Sequence, residues 1–326
     1  VSLPIAAIKA CKRRTFGSKV ADTTGNDATG GQCLLRALIL RRLLRRYALS
    51  PDERHVGILL PPSVGGVLTN LAISLDRRVA INLNYSVTAD VINECIRRAG
   101  VRHVLTSRQV MKKLELELDA DLVYLEDFRS KVSWTDKLAG ALGAYVLPTS
   151  WLARLLGLHR NRGTDELTVI FTSGSTGTPK GVVLSNDNVA SNVAAVDQIV
   201  HLRKDDVVIG ILPFFHSFGY AITLWTVLSL DIKGAYHFSP MDGKRIGELV
   251  AQHAGTVLLS TPTFLRGYLK RCTPEQFTTL EMVVAGAEKL PVPLCDAFEK
   301  KFGVRPVEGY GCTELSPLVS VNVPPA

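Results

Sequence analysis

From about Val56 the chain alternates short apolar runs with stretches of helical period. His55-Val-Gly-Ile-Leu-Leu-Pro61 has the continuous apolar run of a buried strand and stops at a Pro-Pro pair. The pattern then predicts a helix over Val64–Leu75, a strand over Val79–Asn82, a helix over Thr88–Ala99 and a strand over Arg102–Thr106. Thr88 suits the N-cap of its helix and Gly100 its C-terminal stop. Strands that alternate with helices at this spacing predict an α/β fold, a parallel sheet covered by helices. The apolar runs at Thr168–Thr172, Val207–Leu212, Gly234–Phe238, Thr256–Ser260 and Met282–Ala285 continue in the same style.

Two segments depart from this pattern. Over Leu34–Tyr47 a helical wheel gathers Leu35, Ile39, Leu43 and Tyr47, flanked by Leu40 and Leu44, with Arg41, Arg42, Arg45 and Arg46 opposite. This is either a surface helix docking its apolar face or a helix lying on a membrane surface. Lys137–Arg162 mixes Ala, Leu, Gly, Tyr145 and Trp151 with Arg154, His159, Arg160 and Arg162, and Pro148 interrupts any single long helix. It reads as an interfacial anchor or as a flexible insertion.

Composition narrows the class. With 326 residues, 46% of them hydrophobic and 21% charged, the chain can bury more than one core and is not globally disordered. The formal net charge of +8 suits an anionic small ligand or an anionic membrane surface, or serves solubility alone. No zinc spacing and no aromatic-rich nucleic-acid motif accompanies it, so nucleic acid is not an expected partner. The six cysteines, Cys11, Cys33, Cys95, Cys272, Cys295 and Cys312, show no C-x-x-C spacing. A reduced, cytoplasmic protein is expected, with most of them acting as small apolar fillers. No secretory signal and no membrane-length apolar run is found. The chain starts without Met and stops at Val323-Pro-Pro-Ala326 just after its densest motif, so both ends are expected to be cut.

The strongest chemical signal is Thr172-Ser-Gly-Ser-Thr-Gly-Thr-Pro-Lys-Gly181, directly after a predicted strand. Gly174, Gly177 and Gly181 permit tight turns and close ligand approach. Ser173, Ser175, Thr176 and Thr178 supply hydroxyls, and Lys180 a cation. Such a loop can cradle phosphate oxygens. It is not a nucleotide-kinase P-loop, because Pro179 and Gly181 flank the lysine where Gly and Ser or Thr are needed.

This string resembles the phosphate loop of the adenylate-forming superfamily: acyl-CoA synthetases, firefly luciferase and peptide-synthetase adenylation domains. Three further segments agree in order: Leu212-Pro-Phe-Phe-His-Ser-Phe-Gly219, Val284-Ala-Gly-Ala-Glu-Lys-Leu290 and Glu308-Gly-Tyr-Gly-Cys-Thr-Glu314. His216-Ser-Phe-Gly219, Ala285-Gly-Ala-Glu-Lys-Leu290 and the tail Pro317–Pro324 resemble the acyl–acyl-carrier-protein synthetase domain, often fused in bacteria to a 2-acylglycerophosphoethanolamine acyltransferase. A fatty acyl-CoA synthetase is the nearest competitor.

The resemblance implies two packed α/β subdomains with mostly parallel sheets and helices on both faces. Residues 51–206 would form the first, carrying the phosphate loop, and residues 1–50 with 207–326 the second. It implies ATP-dependent activation of a fatty acid to acyl-AMP, then thioester formation on CoA or on the phosphopantetheine of acyl carrier protein. Thr172, Ser173, Gly174, Ser175, Thr176, Gly177, Thr178 and Lys180 would hold the β- and γ-phosphates. Thr313 would bond the α-phosphate, and Glu314, helped by Thr176, would ligate Mg²⁺, a hard cation that wants oxygen. Tyr310 would stack on adenine, with Gly286, Ala287 and Glu288 along its other edge. Glu308 belongs to the same nucleotide-binding set, and Gly309 and Gly311 leave room for the backbone. His216 is a core histidine by its flanking Phe214, Phe215 and Phe218, and a neighbour of the reacting carboxylate by the resemblance. The acyl chain would lie along Phe218, Gly219, Trp225, Thr261 and Thr263.

Both reactants are anionic, and two unit charges about 4 Å apart repel by about 4 kcal/mol at an effective dielectric near 20. Donors and cations must offset that, and holding the pair in line can contribute roughly 7–11 kcal/mol. The superfamily normally continues with a small β-barrel, a ribose-binding Asp, a hinge and a mobile lid with a catalytic Lys, none of which lies in these residues. The chain alone is therefore expected to bind ATP weakly and turn over slowly. A non-catalytic nucleotide- or acyl-binding module is the alternative, though intact Lys180, Thr313 and Glu314 speak against a decayed parent.

Overall fold

Short strands, many of them four residues rich in Val, Ile and Leu, sort into two sheets. A computed structural model describes residues 2–173 and 178–322. The chain divides into two compact units, the first of residues 1–17, 29–61 and 65–190, the second of residues 18–28, 62–64 and 191–326.

The first unit holds a six-stranded sheet in the order Asp121–Tyr124, His103–Thr106, His55–Ile58, Val79–Asn82, Glu166–Ser173, Pro179–Ser185. All neighbours run parallel except the last pair, which is an antiparallel hairpin. Val79–Asn82 is buried at every position, as expected of a strand covered on both faces. The predicted helix Val64–Leu75 forms within its expected bounds. Gly100 closes the helix Ala89–Ala99 in the left-handed conformation, φ 62°, which glycine adopts without a Cβ penalty.

The second unit holds an eight-stranded sheet in the order Leu318–Val321, Val307–Gly311, Met282–Ala285, Val257–Ser260, Val207–Gly210, Lys233–Tyr236, Ser18–Asp22, Asp27–Thr29. From Val307–Gly311 through to Ser18–Asp22 the neighbours are parallel. Leu318–Val321 is antiparallel to its neighbour. The expected α/β class with two mostly parallel sheets is therefore observed.

The expected boundaries need correction. Only residues 18–28 of the first fifty lie in the second unit, and the later division falls at 190/191, inside the helix Asn186–Val200, rather than at 206/207. The reason lies in packing. Leu43 and Leu44 of the helix Gly30–Tyr47 join Val56, Ile58 and Ile73 in one apolar cluster of the six-stranded sheet. A helical wheel identifies an apolar face but not the sheet that receives it.

That wheel also misplaced one position and left out three. Tyr47 is exposed, whereas Leu34, Ala37 and Leu38 are buried. The opposing arginines are engaged: Arg41 and Arg45 pair with Asp76, Arg42 and Arg46 with Asp136. Both aspartates are at most 4% exposed at the side chain. Five of the six cysteines are buried, and burial pushes the Cys95 and Cys272 thiols up to about 11, as fits apolar fillers. No helix among the described residues is long and apolar enough to cross a membrane.

Candidate functional site

Four strands of the second unit, Val207–Gly210, Val257–Ser260, Met282–Ala285 and Val307–Gly311, are adjacent and parallel. Their carboxyl ends therefore lie on one edge of the sheet. Each carries a predicted motif at or just beyond its carboxyl end: residues 212–219, Thr261 and Thr263, Gly286–Glu288, and Tyr310–Glu314. The topology gathers segments about 100 residues apart in sequence along the edge where open α/β sheets bind ligands.

After Val207–Gly210 the chain turns through Pro213 and enters a helix whose centre, Gly219–Thr226, is a π-helix. His216 N–H donates to the Pro213 carbonyl at 3.1 Å, and Tyr220 N–H to the His216 carbonyl at 2.8 Å. Thr226 Oγ1 donates to the Ala221 carbonyl at 3.1 Å, five residues back, and Tyr236 Oη to the Thr223 carbonyl at 2.7 Å. These satisfy carbonyls that a widened helical turn leaves poorly paired. The His216 side chain is exposed, and its ring lies 4.6 Å from that of Phe215. Surrounding protein desolvates it enough to lower its pKa below the usual 6.5.

Ser217 Oγ and Thr313 Oγ1 lie 3.2 Å apart. This joins the segment that carries His216 to the Thr313 segment and brings two hydroxyls together. Ser217 is buried and was absent from the expected site residues. Asn192 was missed too. Its amide donates to the Leu315 and Leu318 carbonyls at 3.2 and 3.3 Å and accepts from Leu318 N–H at 2.8 Å. It thereby clamps both ends of the turn that follows Glu314. A nearly buried Asn among the apolar Val189, Val193 and Val196 of its helix was the signal available in the sequence.

The other predicted residues form a rim. A Cβ on Gly286 would sit 3.1 Å from Phe218 and 3.4 Å from the Gly309 carbonyl, and one on Gly311 would sit 1.9 Å from the Pro317 carbonyl. Ala287 has φ +67°, a left-handed conformation that costs a non-glycine residue about 1–2 kcal/mol. Glu288 accepts from Thr263 Oγ1 at 2.8 Å, and Glu308 from Leu290 N–H at 3.0 Å. Thr261 caps the helix Pro262–Arg271. Tyr310 is 67% exposed, a free aromatic face. Glu314 is exposed and has no ion-pair partner among the described residues.

An apolar cavity of about 40 Å³ is lined by Phe218, Ile222 and Thr226 together with Val196, Val257 and Met282, among others. Phe218 was expected at an acyl site. Ile222 and Thr226, one helical turn and two turns on, were not. Trp225 faces elsewhere: it is fully buried against Tyr220, with ring centroids 6.3 Å apart. That is a core role.

In the first unit, Thr172 and Lys180 are cross-strand partners in the hairpin Glu166–Ser173 and Pro179–Ser185. Thr178 and Lys180 are exposed. A Cβ on Gly181 would meet Val169 at 2.9 Å and Phe171 at 3.2 Å. Gly174, Ser175, Thr176 and Gly177, and the side chain of Ser173, lie outside the described residues.

Loops that collect polar groups beyond the carboxyl ends of a parallel sheet define the ligand-binding class of α/β fold. The chain belongs to the AMP-binding enzyme family, whose description matches residues 9–326. It is 31% identical over 168 residues to a long-chain-fatty-acid–CoA ligase of Bacillus subtilis, covering 48% of this chain and 29% of that one. It is 29% identical over 319 residues to 4-coumarate–CoA ligase 3 of Arabidopsis thaliana, covering 93% of this chain and 54% of that one. ATP-bound MatB from Rhodopseudomonas palustris has the same fold, with a TM-score of 0.75 and 24% identity over 99% of this chain and 62% of that one. The matched chain thus spans about half or less of the length of these curated relatives. The adenylate-forming resemblance read from four motifs holds at the level of the superfamily and of the fold.

One prediction concerns His216 directly. Its folded pKa lies below its unfolded value, so the unfolded chain binds the extra proton first as pH falls. Both states are neutral above about 7, and stability drops as pH falls below the unfolded value of about 6.5. A proton-resolved titration of the ring should give a midpoint below 6.5, and His216→Gln should remove this part of the acid sensitivity. A midpoint at or above 6.5 would contradict the desolvated setting.

Proposed function

We propose that this chain serves an enzyme that uses ATP to activate a fatty acid as acyl-AMP. The acyl group then passes to a thiol, that of CoA or of the phosphopantetheine of acyl carrier protein. The family membership supports the reaction class. The named activity of the Bacillus relative supports a fatty acid, and ATP-bound MatB supports the nucleotide. The observation that carries the reading is the Ser217–Thr313 hydroxyl pair, next in the chain to His216, at the carboxyl edge of the sheet.

In the first step a carboxylate oxygen attacks the α-phosphorus of ATP. The new O–P bond forms as the bond to the β-phosphate oxygen breaks, and pyrophosphate leaves with that electron pair. Thr313 donates its hydroxyl to the α-phosphate, and Ser217, buried behind it, fixes the direction of that hydroxyl. The exposed, neutral His216 stands beside the carboxylate. It acts through its dipole and by excluding water, because the acid is already ionised near pH 4 and needs no base. Tyr310 stacks on adenine, with Gly286, Ala287 and Glu288 along the other edge and Glu308, Gly309 and Gly311 shaping the backbone there. Thr172, Ser173, Gly174, Ser175, Thr176, Gly177, Thr178 and Lys180 hold the β- and γ-phosphates and the departing pyrophosphate.

Glu314 is the residue that would hold Mg²⁺. No group of three or more His, Cys, Asp or Glu among the described residues could hold a metal alone. One exposed carboxylate fits Mg²⁺, which takes one or two carboxylates and completes its shell with substrate phosphates and water. The ion supplies charge neutralisation on the phosphates. In the second step the thiol gives its proton to solvent, its sulfur attacks the acyl carbon, and AMP leaves with the electrons of the C–O bond.

The acyl chain runs from His216 past Phe218 and Gly219, with Thr261 and Thr263 near its entrance, toward the apolar side chains around Phe218. Each buried CH₂ contributes about 0.8 kcal/mol, so affinity should rise with each carbon of the chain that the protein covers. ATP–pyrophosphate exchange by the full-length parent against a panel of fatty and aromatic acids tests this reading. Exchange with fatty acids is expected; exchange with none of the acids would refute it.

A further inference from the structure

Among the described residues, seven of the seventeen exposed large hydrophobic side chains lie between Trp134 and Leu155. They include two of the three tryptophans of the chain. The helix Trp134–Ala141 continues as a π-helical turn, Leu142–Val146, and after Pro148 comes the helix Thr149–Leu155. Trp134, Leu138, Leu142 and Val146 recur every four residues, which aligns them on one side of a helix. Trp151 and Leu155 repeat the spacing on the next helix. Trp134 is 73% exposed, Trp151 69% and Leu155 74%.

The other side of this segment is fully used. A Cβ on Gly140 would meet Leu35 at 2.9 Å and Ile39 at 3.0 Å, and one on Gly143 would meet Leu38 at 2.7 Å. Lys12 Nζ donates to the Gly143 and Ala144 carbonyls at 3.0 and 2.9 Å, satisfying groups at the end of the helix. The segment is thus anchored by its inner face while a second apolar face, with Tyr145 beside it, points to solvent. An ordinary surface helix is polar on its outer face. A row this large marks an interaction surface.

Charge selects the partner. Residues 134–162 carry Lys137, Arg154, Arg160 and Arg162 against one acid, Asp136. Asp136 is buried and already paired with Arg42 and Arg46. Lys137, Arg154 and Arg160 are exposed and have no ion-pair partner among the described residues. Arg154, His159 and Arg160 line one cleft with Leu155, together with Arg41 and Arg42. Tryptophan and tyrosine beside unpaired basic groups are the side chains that settle at the headgroup level of a bilayer.

We propose that the Trp134–Leu155 face of the first unit docks on the surface of an anionic phospholipid bilayer. The apolar row enters the headgroup boundary, and the cleft around Arg154 and Arg160 receives lipid phosphates. This stands apart from the activation reaction, and its failure would leave that reading untouched.

The test is flotation of the full 326-residue chain with vesicles of phosphatidylcholine, alone or mixed equally with phosphatidylglycerol. The wild type should float with the mixed vesicles and only weakly with the neutral ones. Trp134→Ser with Trp151→Ser should weaken partitioning about tenfold. Arg154→Gln with Arg160→Gln should weaken it roughly 30-fold on the anionic vesicles, with little change on neutral ones. All four side chains are exposed, so circular dichroism and melting temperature should match the wild type. On binding, tryptophan emission should shift to the blue, and this shift should vanish in the Trp double variant. Absence of flotation, or flotation unchanged in both double variants, overturns the proposal. A lipid-free dimer that becomes monomeric in the Trp double variant also overturns it, because the face is then a contact between proteins.

Discussion

Gly219→Ala should lower stability by about 2 kcal/mol or more and should weaken nucleotide binding with it. A Cβ at this position would lie 2.2 Å from the Pro213 carbonyl oxygen and 2.7 Å from that of Leu212. Alanine is the better helix former by about 1 kcal/mol, so propensity alone favours the variant. Sterics win because the obstacles are backbone atoms, which cannot rotate away as a side-chain tip can. Overpacking of this kind costs about 1–3 kcal/mol even where the surroundings partly yield. The yielding part here is the turn that presents His216 and Ser217, so relief of the clash moves the hydroxyl set against Thr313. Urea unfolding gives the stability change, and ATP titration gives the functional one. A variant as stable as the wild type would mean that the helix approaches the turn less closely.

Asp136→Ala should cost about 3–5 kcal/mol, the range seen when one partner of a buried ion pair is removed. The carboxylate is fully buried. It accepts from Arg42 Nε at 2.9 Å, from two Arg46 nitrogens at 3.0 Å, and from Ser133 Oγ at 2.7 Å. Arg42 and Arg46 are 37% and 40% exposed and can rehydrate, which places the loss toward the lower end. Desolvation opposes the charge of Asp136, but hydrogen bonds from Arg46, Ser133 and Arg42 outweigh it and hold the carboxyl well below the usual carboxylate range. Its folded pKa is depressed, so its stabilisation is complete above the unfolded value of about 3.9 and is lost as pH falls through the folded one. Acid unfolding of the wild type should steepen below about pH 4, and the variant should lack that component. An unchanged urea midpoint would show that the helix Trp134–Ala141 is held by Gly140 and Gly143 alone.

Much of the fold is legible in the sequence because the parallel strands are covered on both faces. Val79–Asn82 and Met282–Ala285 are short apolar runs, and the helix Ala89–Ala99 ends on a left-handed glycine, Gly100. The four motifs also mark where the chain turns at the sheet edge. Long-range choices are less legible. Nothing local to Leu43 and Leu44 reveals that they pack with Ile58 and Ile73, so residues 1–17 and 29–50 fall in the first unit while only 18–28 keep the expected place in the second. Trp225 and Phe218 lie on one helical stretch and are both aromatic, yet of the two only Phe218 reaches the apolar cavity. The π-helical turns shift the register of that face, and no simple periodicity anticipates them. Ser217 and Asn192 escaped notice for a related reason. Each acts through a partner more than 90 residues away, Ser217 on Thr313 and Asn192 on Leu315 and Leu318.

The account rests on Thr313 meeting the α-phosphate of ATP. A hydrogen bond to a charged group contributes about 1.5–3 kcal/mol, so Thr313→Val, which keeps the shape and removes the hydroxyl, should weaken binding roughly tenfold to hundredfold. Calorimetric titration of ATP into the wild-type and Thr313→Val chains, both shown folded by circular dichroism, measures this directly. Weak but measurable binding by the wild type and a dissociation constant at least about tenfold higher for the variant are predicted. Equal affinities would contradict the assignment.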